Sequence, residues 1–365
     1  MGNDPHLLVE SFRKAAVRDG SIPAFLIGLT IVVAILILPT TLFANDSTAR
    51  LGAGGIEFLQ SEHIRMLEEI LEISADKVRV KYRFFNESEK DIQTTVAFPL
   101  PLFHALGHYN TSIGDPRDIA NTFTVLVNGT SVPTSTVRKA VKDGQDLTGE
   151  LRKLGFSDKE IFFEITDEEW KALAEKIERV GSRLHRWWNI DQTIHWQMTF
   201  PAKKETVVEH EYLPASGRGW AIALESRSKE NFRANLDKLW DSFTGKGDDT
   251  KDEDCLDRTT KRGIENRVKQ DVSRGAESVS VEYTSVEYIL GTARNWKGPI
   301  EQFTLRLVKQ NPDQFVSVCF PGKPKKISPT EYEFHQRDFV PPDKLVVYFY
   351  IINPSGVTGS SRDRS

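Results

Sequence analysis

The chain has 365 residues, of which 39% are hydrophobic, 10% aromatic and 27% charged, and its formal net charge is −4. These proportions are typical of a globular protein, and the length allows one large or two medium domains. Binding to nucleic acid needs a concentration of Lys and Arg that the composition does not display, so we exclude that class of function.

An uncharged apolar run, AFLIGLTIVVAILIL, covers residues 24–38 and follows several basic residues. A basic region, an apolar region and a small residue, Ala44, before a polar stretch are typical of a secretory signal cleaved after Ala44. Leu42 stands where a small residue is preferred, and residues 24–44 approach the roughly 20 residues that span a bilayer, which favours an uncleaved membrane anchor. A buried core helix is the third interpretation, although no polar face interrupts the run. Residues 1–44 are thus predicted to be a signal peptide or an anchor, and either one places the rest of the chain outside the cytoplasm.

The two cysteines of the chain are Cys255 and Cys319. In an oxidising compartment a single pair is more typical of a disulfide than of a catalytic thiol or half a metal site. The alternative is two separate buried thiols that act as small hydrophobic side chains. We predict the disulfide.

Alternating apolar residues between Lys77 and Pro101 predict two strands with a polar turn at residues 86–91. We interpret them as a β-hairpin in which Val96 and Phe98 face the core. The hairpin is expected to end at the prolines, which cannot donate to a sheet ladder.

Other segments carry the same β signal. The Asn-Gly pair in FTVLVNGTSV, residues 123–132, predicts a tight hairpin. The segment HWQMTFPAKKETVVEHEYLP, residues 195–214, repeats the alternation on both sides of a turn. Four further strands are predicted near the carboxyl terminus, at residues 278–290, 303–308, 315–320 and 344–352.

Two helices interrupt these strands. Thr166 and Glu169 form the pattern of a capping box, and Gly181 can end the helix that follows. A second helix is predicted at residues 229–242. The fold class is therefore mainly β, an antiparallel β-sandwich architecture of one or two sandwiches with helical insertions.

The same patterns divide the chain after residue 44 into one domain, 45–352, and a disordered tail, 353–365. Within the domain we expect five segments in chain order: β-rich 45–135, a helical insertion 136–190, β 191–224, a helical segment 225–275 and β 276–352.

Several blocks in fixed order resemble the bacterial exported family called domain of unknown function 4424. They include ANDSTARLGAGGIEF, YRFFNESEKDIQTTVAFPLP, GQDLTGELRKLG, HWQMTFPAKKETVVEHEYLPASG, DCLD and TARNWKGPIEQFTLRLV. The resemblance runs from about Ala44 to Ile352 and implies an exported protein. It implies no activity, because the family has none assigned. Thr292, Ala293 and Arg294 stand where the family usually has Thr-Gly-Ala.

The search for catalytic and metal-binding motifs finds no phosphate-binding loop, nucleophile elbow, HExxH helix or dinucleotide fingerprint. His104 and His108 have a spacing that suits one metal on a helix, but Gly107 favours a loop. The acidic run GKGDDTKDEDCLD, residues 245–257, lacks the ordered ligand spacing of a calcium loop and is interpreted as a solvated linker. We predict no metal and no cofactor.

His210 has the strand parity of apolar neighbours, which predicts an inward imidazole among Trp196, Phe200 and Tyr212. A structural histidine is the first interpretation, and a general base or ligand-binding group is the second. Glu209 and Glu211 could supply a carboxylate for a hydrolase, but both have the opposite parity.

Four tryptophans, Trp187, Trp188, Trp220 and Trp296, are candidates for an exposed surface that binds sugars, peptides or partner proteins. Packing in the core is nevertheless the first interpretation for each.

The sequence thus predicts an extracytoplasmic protein of the bacterial envelope, periplasmic or secreted, with a possible membrane anchor at residues 24–44. Its expected role is non-catalytic binding or assembly, with an envelope protein or a glycan as partner and no nucleic acid. The alternative is an extracytoplasmic hydrolase that uses His210 with a nearby carboxylate.

Overall fold

The computed structural model describes residues 47–52, 55–100, 102–104, 116–180, 188–214, 216–225 and 255–356. Within these ranges the chain forms three β-sheets and five α-helices. The predicted mainly β sandwich class is confirmed.

Sheet A contains seven strands among the described residues: β1 (Ser47–Gly52), β2 (Gly55–Leu59), β5 (Ile92–Pro99), β6 (Phe103–His104), β9 (Ser135–Lys142), β10 (Gln145–Asp146) and β11 (Asn189–Phe200). Their order is β10-β9-β11-β5-β1-β2, with β6 also paired to β11. All of these pairs are antiparallel.

Sheet B contains eight strands among the described residues: β3 (Ile64–Ile73), β4 (Val78–Asn86), β7 (Thr124–Val127), β8 (Thr130–Ser131), β12 (Glu205–Tyr212), β15 (Ile300–Val308), β17 (Lys325–Lys326) and β18 (Glu331–Phe339). Their order is β17-β18-β15-β3-β4-β12-β7-β8. The pair β15–β3 is parallel and the others are antiparallel.

Sheet C is an antiparallel sheet with four described strands: β13 (Ser216–Glu225), β14 (Ser278–Ile289), β16 (Phe315–Val318) and β19 (Lys344–Ser355). Their order is β13-β14-β19-β16.

The helices are α1 (Pro116–Thr122), α2 (Thr148–Lys153), α3 (Asp158–Ile161), α4 (Asp167–Val180) and α5 (Arg258–Ser273), with a 3₁₀ turn at Gly291–Asn295. The predicted capping box of α4 is confirmed, because the Thr166 N–H donates to Glu169 Oε2 at 2.8 Å and the Glu169 N–H to Thr166 Oγ1 at 3.3 Å. The helix predicted at 229–242 and the terminating Gly181 lie outside the described residues.

The hairpin predicted at residues 77–101 is wrong, although both of its strands exist. β4 pairs with β3 and β12 in sheet B, whereas β5 pairs with β1 and β11 in sheet A. The polar turn therefore carries the chain from one sheet to the other. Alternating apolar residues mark the face that each strand turns to the core. Two strands that face one core from opposite sheets therefore give the same sequence pattern as a hairpin.

The second alternating segment follows the same course, since β11 lies in sheet A and β12 in sheet B. We call such a unit, two strands in different sheets joined by a short turn, an arch. The β4–β5 arch and the β11–β12 arch lie side by side, because β4 pairs with β12 and β5 pairs with β11.

The predicted Asn-Gly hairpin is confirmed between β7 and β8. Asn128 has φ 50° and Gly129 has φ 80°, the two positive values that a type I′ turn requires. The Asn128 Oδ1 also accepts a hydrogen bond from the Val207 N–H at 2.9 Å, which ties the turn to β12.

The predicted segment boundaries differ from the structure at three places. The tail predicted to be disordered, 353–365, begins inside the structured chain, because β19 continues to Ser355. The expected helical insertion, 136–190, begins with strand β9, in which only Ala140 is fully buried, so its apolar signal is weak. The expected β-rich segment, 45–135, contains helix α1. The expected helical segment, 225–275, contains helix α5, and its residues 226–254 lie outside the described ranges.

The core has three parts. The main core collects buried side chains from all three sheets, among them Phe84, Phe98, Trp196 and Phe349. A second cluster lies between helices α2–α4 and one end of sheet A, where it includes Ile190. A third lies between α5 and sheet C.

Sheet C is buried on both faces, at different ends. Val286 and Tyr288 of β14 point into the main core, whereas Val279 and Val281 point the other way, into the cluster under α5. This change of buried face positions α5 on the outer side of the sheet.

Candidate functional site

His210 is buried, as predicted from its parity, with 3% of its surface exposed. On β12 it lies in register with Val80 and Val125. Its imidazole lies 5.0 Å from the Phe123 ring, 5.1 Å from Trp196, 5.5 Å from Tyr82 and 5.9 Å from Phe98, measured between ring centroids. The imidazole is therefore packed tightly among aromatic rings between sheets A and B.

The carboxylates of the hydrolase alternative lie on the other face of sheet B. Glu209 pairs with Lys81 at 3.0 Å, and Glu211 pairs with Lys77 at 2.9 Å and Arg79 at 2.7 Å. The hydrogen bonds from Arg79 and Lys77 lower the pKa of Glu211, which keeps it ionised as part of a charged outer surface. The structure therefore does not bring these carboxylates together with His210.

Other polar groups on the inner face come from tyrosines and a glutamate. The Tyr82 and Tyr288 hydroxyls are 2.9 Å apart, and burial raises the pKa of Tyr212, so its phenol stays neutral. Glu69 is fully buried in register with Tyr82.

Sequence reasoning missed Glu69. A bulge between Met66 and Glu68 reverses the parity of β3. Glu69 therefore points inward together with Leu71 and Ile73. The signal was available in the sequence, because apolar Ile64 and Met66 have even numbers whereas Leu71 and Ile73 have odd ones.

Two of the four candidate tryptophans are interior side chains. Trp188 stacks on Phe163 at 5.3 Å, and its Nε1–H donates to the Ile161 carbonyl at 2.8 Å. Trp296 packs 4.5 Å from Phe84 and is 1% exposed. Trp220 lies on β13 with only its backbone described, and Trp187, like His108, lies outside the described residues.

The turns of the two arches are linked by the buried side chain of Asn86. Its Nδ2 donates to the Phe200 carbonyl at 2.8 Å and to the Lys90 carbonyl at 2.9 Å. Its Oδ1 accepts from the Ser88 N–H at 2.9 Å and the Ser88 hydroxyl at 2.8 Å. Asn86 therefore holds its own turn closed and joins it to the end of β11.

Charged groups complete this end of the sandwich. Glu87 pairs with Arg65 at 2.8 Å and with Lys297. The hydrogen bond from Lys297 lowers the pKa of Glu87. Lys203 donates to the Glu87 carbonyl at 2.6 Å. The charged turn thus contacts the start of β3, the loop before β15 and the turn between β11 and β12.

The outer face of sheet A carries a polar stripe on β11, formed by Asp191, Thr193 and His195. Burial raises the pKa of Asp191, and the positive charge of Lys139, its register partner on β9, opposes that effect. Burial also lowers the pKa of His195. Both shifts favour the uncharged form.

The predicted disulfide between Cys255 and Cys319 is present, with the two Cα atoms 4.7 Å apart. It joins the start of α5 to the end of β16. Asp257 caps α5 by accepting from the Thr259 N–H at 2.8 Å and the Thr260 N–H at 3.0 Å.

Exposed cations lie on both sides of this disulfide. Arg258, Arg262 and Lys269 lie on the solvent side of α5, and Lys323, Lys325 and Lys326 follow Cys319 in the chain. We call these six residues the basic face. Sequence reasoning missed it, because the six are spread over 69 positions of a chain with negative net charge.

Two kinds of feature are absent from the described part of the chain. No group of three His, Cys, Asp or Glu side chains in it could hold a metal ion. None of its helices combines the length and hydrophobicity needed to cross a bilayer, and the predicted anchor at 24–44 lies outside it.

The fold and the disulfide define a three-sheet β-sandwich protein with a helix fastened to its third sheet. The chain belongs to the family described as domain of unknown function (DUF4424), which matches residues 44–348. No curated protein matches the chain.

Among solved structures, one similar chain is described as a "putative nutrient binding protein" from Legionella pneumophila subsp. pneumophila str. Philadelphia 1. It has 14% sequence identity and a TM-score of 0.39, and the match covers 84% of this chain and 70% of that one. At this TM-score the likeness supports no statement about what the chain binds.

Proposed function

We propose that the chain is an exported protein of the bacterial envelope that acts as a non-catalytic binding or assembly module. The disulfide between Cys255 and Cys319 carries the proposal, because such bonds form and persist in oxidising compartments and are rare in the cytosol. The apolar run at residues 24–38 supplies an export signal, either cleaved after Ala44 or retained as an anchor.

The position of His210 supports binding over catalysis. A general base must reach the proton that it abstracts, and this imidazole is packed among four aromatic rings. The carboxylates beside it in sequence form ion pairs on the opposite face. An envelope protein or a glycan remains the proposed partner of the module.

Topology is the direct test of export. A carboxyl-terminal tag on the chain should be digested by protease added to spheroplasts, while a cytoplasmic marker in the same sample stays intact. Full protection of the tag would overturn the proposal. A product that starts at Asn45 would indicate cleavage, and a full-length membrane-bound product would indicate the anchor.

The binding role is tested separately by purifying the tagged protein with its partners from solubilised envelopes. We expect the same envelope component to be recovered after the exposed change Lys90→Ala, and to be lost after Phe98→Ala if that change unfolds the sandwich. A purified protein that hydrolyses envelope substrates, with the activity lost in His210→Ala, would instead establish the alternative.

A further inference from the structure

Helix α5 has a charge opposite to that of the whole chain. Residues 258–274 contain six basic side chains, Arg258, Lys261, Arg262, Arg267, Lys269 and Arg274, and two acidic ones, Glu265 and Asp271, in a chain with net charge −4. The buried Asp271 pairs with Arg267 at 3.0 Å, so this acid does not offset the exposed cations.

The exposed cations of α5 lie on one side of the helix. Arg258, Arg262 and Lys269 are spaced i, i+4 and i+11, which places them in one row about 17 Å long. Ile264 and Val268, on the other side, are fully buried against sheet C. The row therefore points away from the protein.

Two links hold α5 beside the lysines that complete the basic face. The disulfide connects Cys255, three residues before Arg258, to Cys319, four residues before Lys323. Arg267 also lies 3.5 Å from Asp313, in the loop that follows β15. Lys309, at the start of this loop, lies with its Nζ 5.8 Å from the centre of the Tyr332 ring, and Tyr332 is the register partner of Lys326.

The composition of the basic face suits a surface of anionic groups better than a protein partner. Its six cations form no ion pair within the described part of the chain. Protein interfaces are depleted of lysine and rely on buried aromatic anchors, whereas polybasic segments are attracted to anionic headgroups. Ile327, beside Lys326, is 46% exposed and can contact the interfacial region of a bilayer.

We propose that the basic face binds the phosphate headgroups of an anionic phospholipid bilayer. The proposal rests on the proposed export, which places the domain beside a membrane. If residues 24–44 are retained as an anchor, two residues, Asn45 and Asp46, separate that segment from β1, and this short connection would keep the domain within reach of a bilayer.

The test uses the full-length chain and vesicles of two compositions, phosphatidylcholine alone or with about one third phosphatidylglycerol. The apolar segment partitions into both, so the ratio of the two affinities reports the contribution of charge. At low salt we expect about tenfold tighter binding to the anionic vesicles, and at about 0.5 M salt we expect the preference to be lost through screening.

The triple variant R258E/R262E/K269E should bind both vesicles alike. The matched control K153E/K159E/K171E makes the same change of charge at exposed positions near α2–α4 and should keep the preference. Near-UV circular dichroism checks that each variant is folded. If the first variant fails to fold, K323E/K325E/K326E tests the other half of the basic face.

An equal loss in the control variant would show that net charge alone acts, which would overturn the proposal. The proposal would also be overturned if the protein showed no preference for anionic vesicles. This holds even if soluble polyphosphate binds the basic face, because the proposed ligand is a bilayer. Because vesicle binding is measured on purified protein, it can fail while the topology experiment succeeds, and the reverse also holds.

Discussion

At the scale of single residues, the two arches depend on one buried amide. Asn86 makes hydrogen bonds to Phe200, Lys90 and Ser88, so each of its polar atoms is used. Replacing it removes the donor to the buried Phe200 carbonyl, whereas the Lys90 carbonyl still accepts from the Ser88 hydroxyl at 2.6 Å. A buried unsatisfied group costs roughly 1 to 3 kcal/mol.

We therefore expect Asn86→Ala to lower the free energy of unfolding by about 1 to 3 kcal/mol. The matched control is Asn266→Ala on the solvent side of α5, which should stay within about 0.5 kcal/mol. Chemical denaturation of both variants measures the difference. Equal stability of the two would show that the arch turns are held by their charged groups instead.

A second residue, Asp191, makes stability depend on pH. Burial raises its pKa above that of the unfolded chain, so the folded protein binds this proton more tightly. The resulting stabilisation is present below the unfolded pKa, near 4, and is lost as the pH rises through the folded pKa.

Asp191→Asn should thus raise the melting temperature at pH 7, because the amide carries no charge in this partly desolvated position. The gain should shrink as the pH falls through the folded pKa towards 4, because the wild-type carboxyl then takes up its proton. Melting curves across this range provide the measurement. A variant less stable than wild type at pH 7 would show that the attraction of Lys139 outweighs desolvation.

At the scale of elements, the positions of strands could be predicted where burial alternates along the chain. The strands with which they pair could not be predicted. Val78, Val80, Tyr82 and Phe84 alternate because each buries one side, which is a local property of β4. Whether β4 pairs with β5 or with β12 depends on contacts between distant segments. β3 escaped prediction because a bulge divides its pattern and glutamates dilute it.

The candidate sites show the same limit. His210 was predictable as inward because parity is local, and the disulfide because two cysteines allow one pairing. The basic face could not be predicted, because its two halves are brought together by tertiary contacts. These are the disulfide and the ion pair between Arg267 and Asp313.

The disulfide is also the element-scale feature with the largest expected effect. It closes a loop with a sequence separation of 64, and on the chain-entropy model such closure stabilises by about 4 kcal/mol. Cys255→Ser with Cys319→Ser should lower stability by up to that amount. A thiol reagent should modify neither cysteine in denatured, unreduced wild-type protein and both after reduction, and two reactive thiols before reduction would contradict the bond.

At the scale of the whole molecule, the separate cores predict separate units of unfolding. The main core contains strands from all three sheets, so these should lose structure together. The cluster under α2–α4 has its own centre, with Leu173 and Trp188, and strand β11 takes part in both through Ile190 and Ile194. Opening the helices leaves the main core covered by its three sheets.

Two truncations of buried side chains test this division. Phe98→Ala in the main core should cost about 3 to 5 kcal/mol, and Leu173→Ala in the helical cluster about 2 to 5 kcal/mol. Hydrogen exchange read by mass spectrometry should show faster exchange throughout β4, β12 and β14 for Phe98→Ala. For Leu173→Ala the increase should be confined to α2–α4, because their packing can open without exposing the aromatic rings around His210. Equal acceleration of all strands by Leu173→Ala would show instead that the helices and the three sheets unfold as one unit, joined through β11.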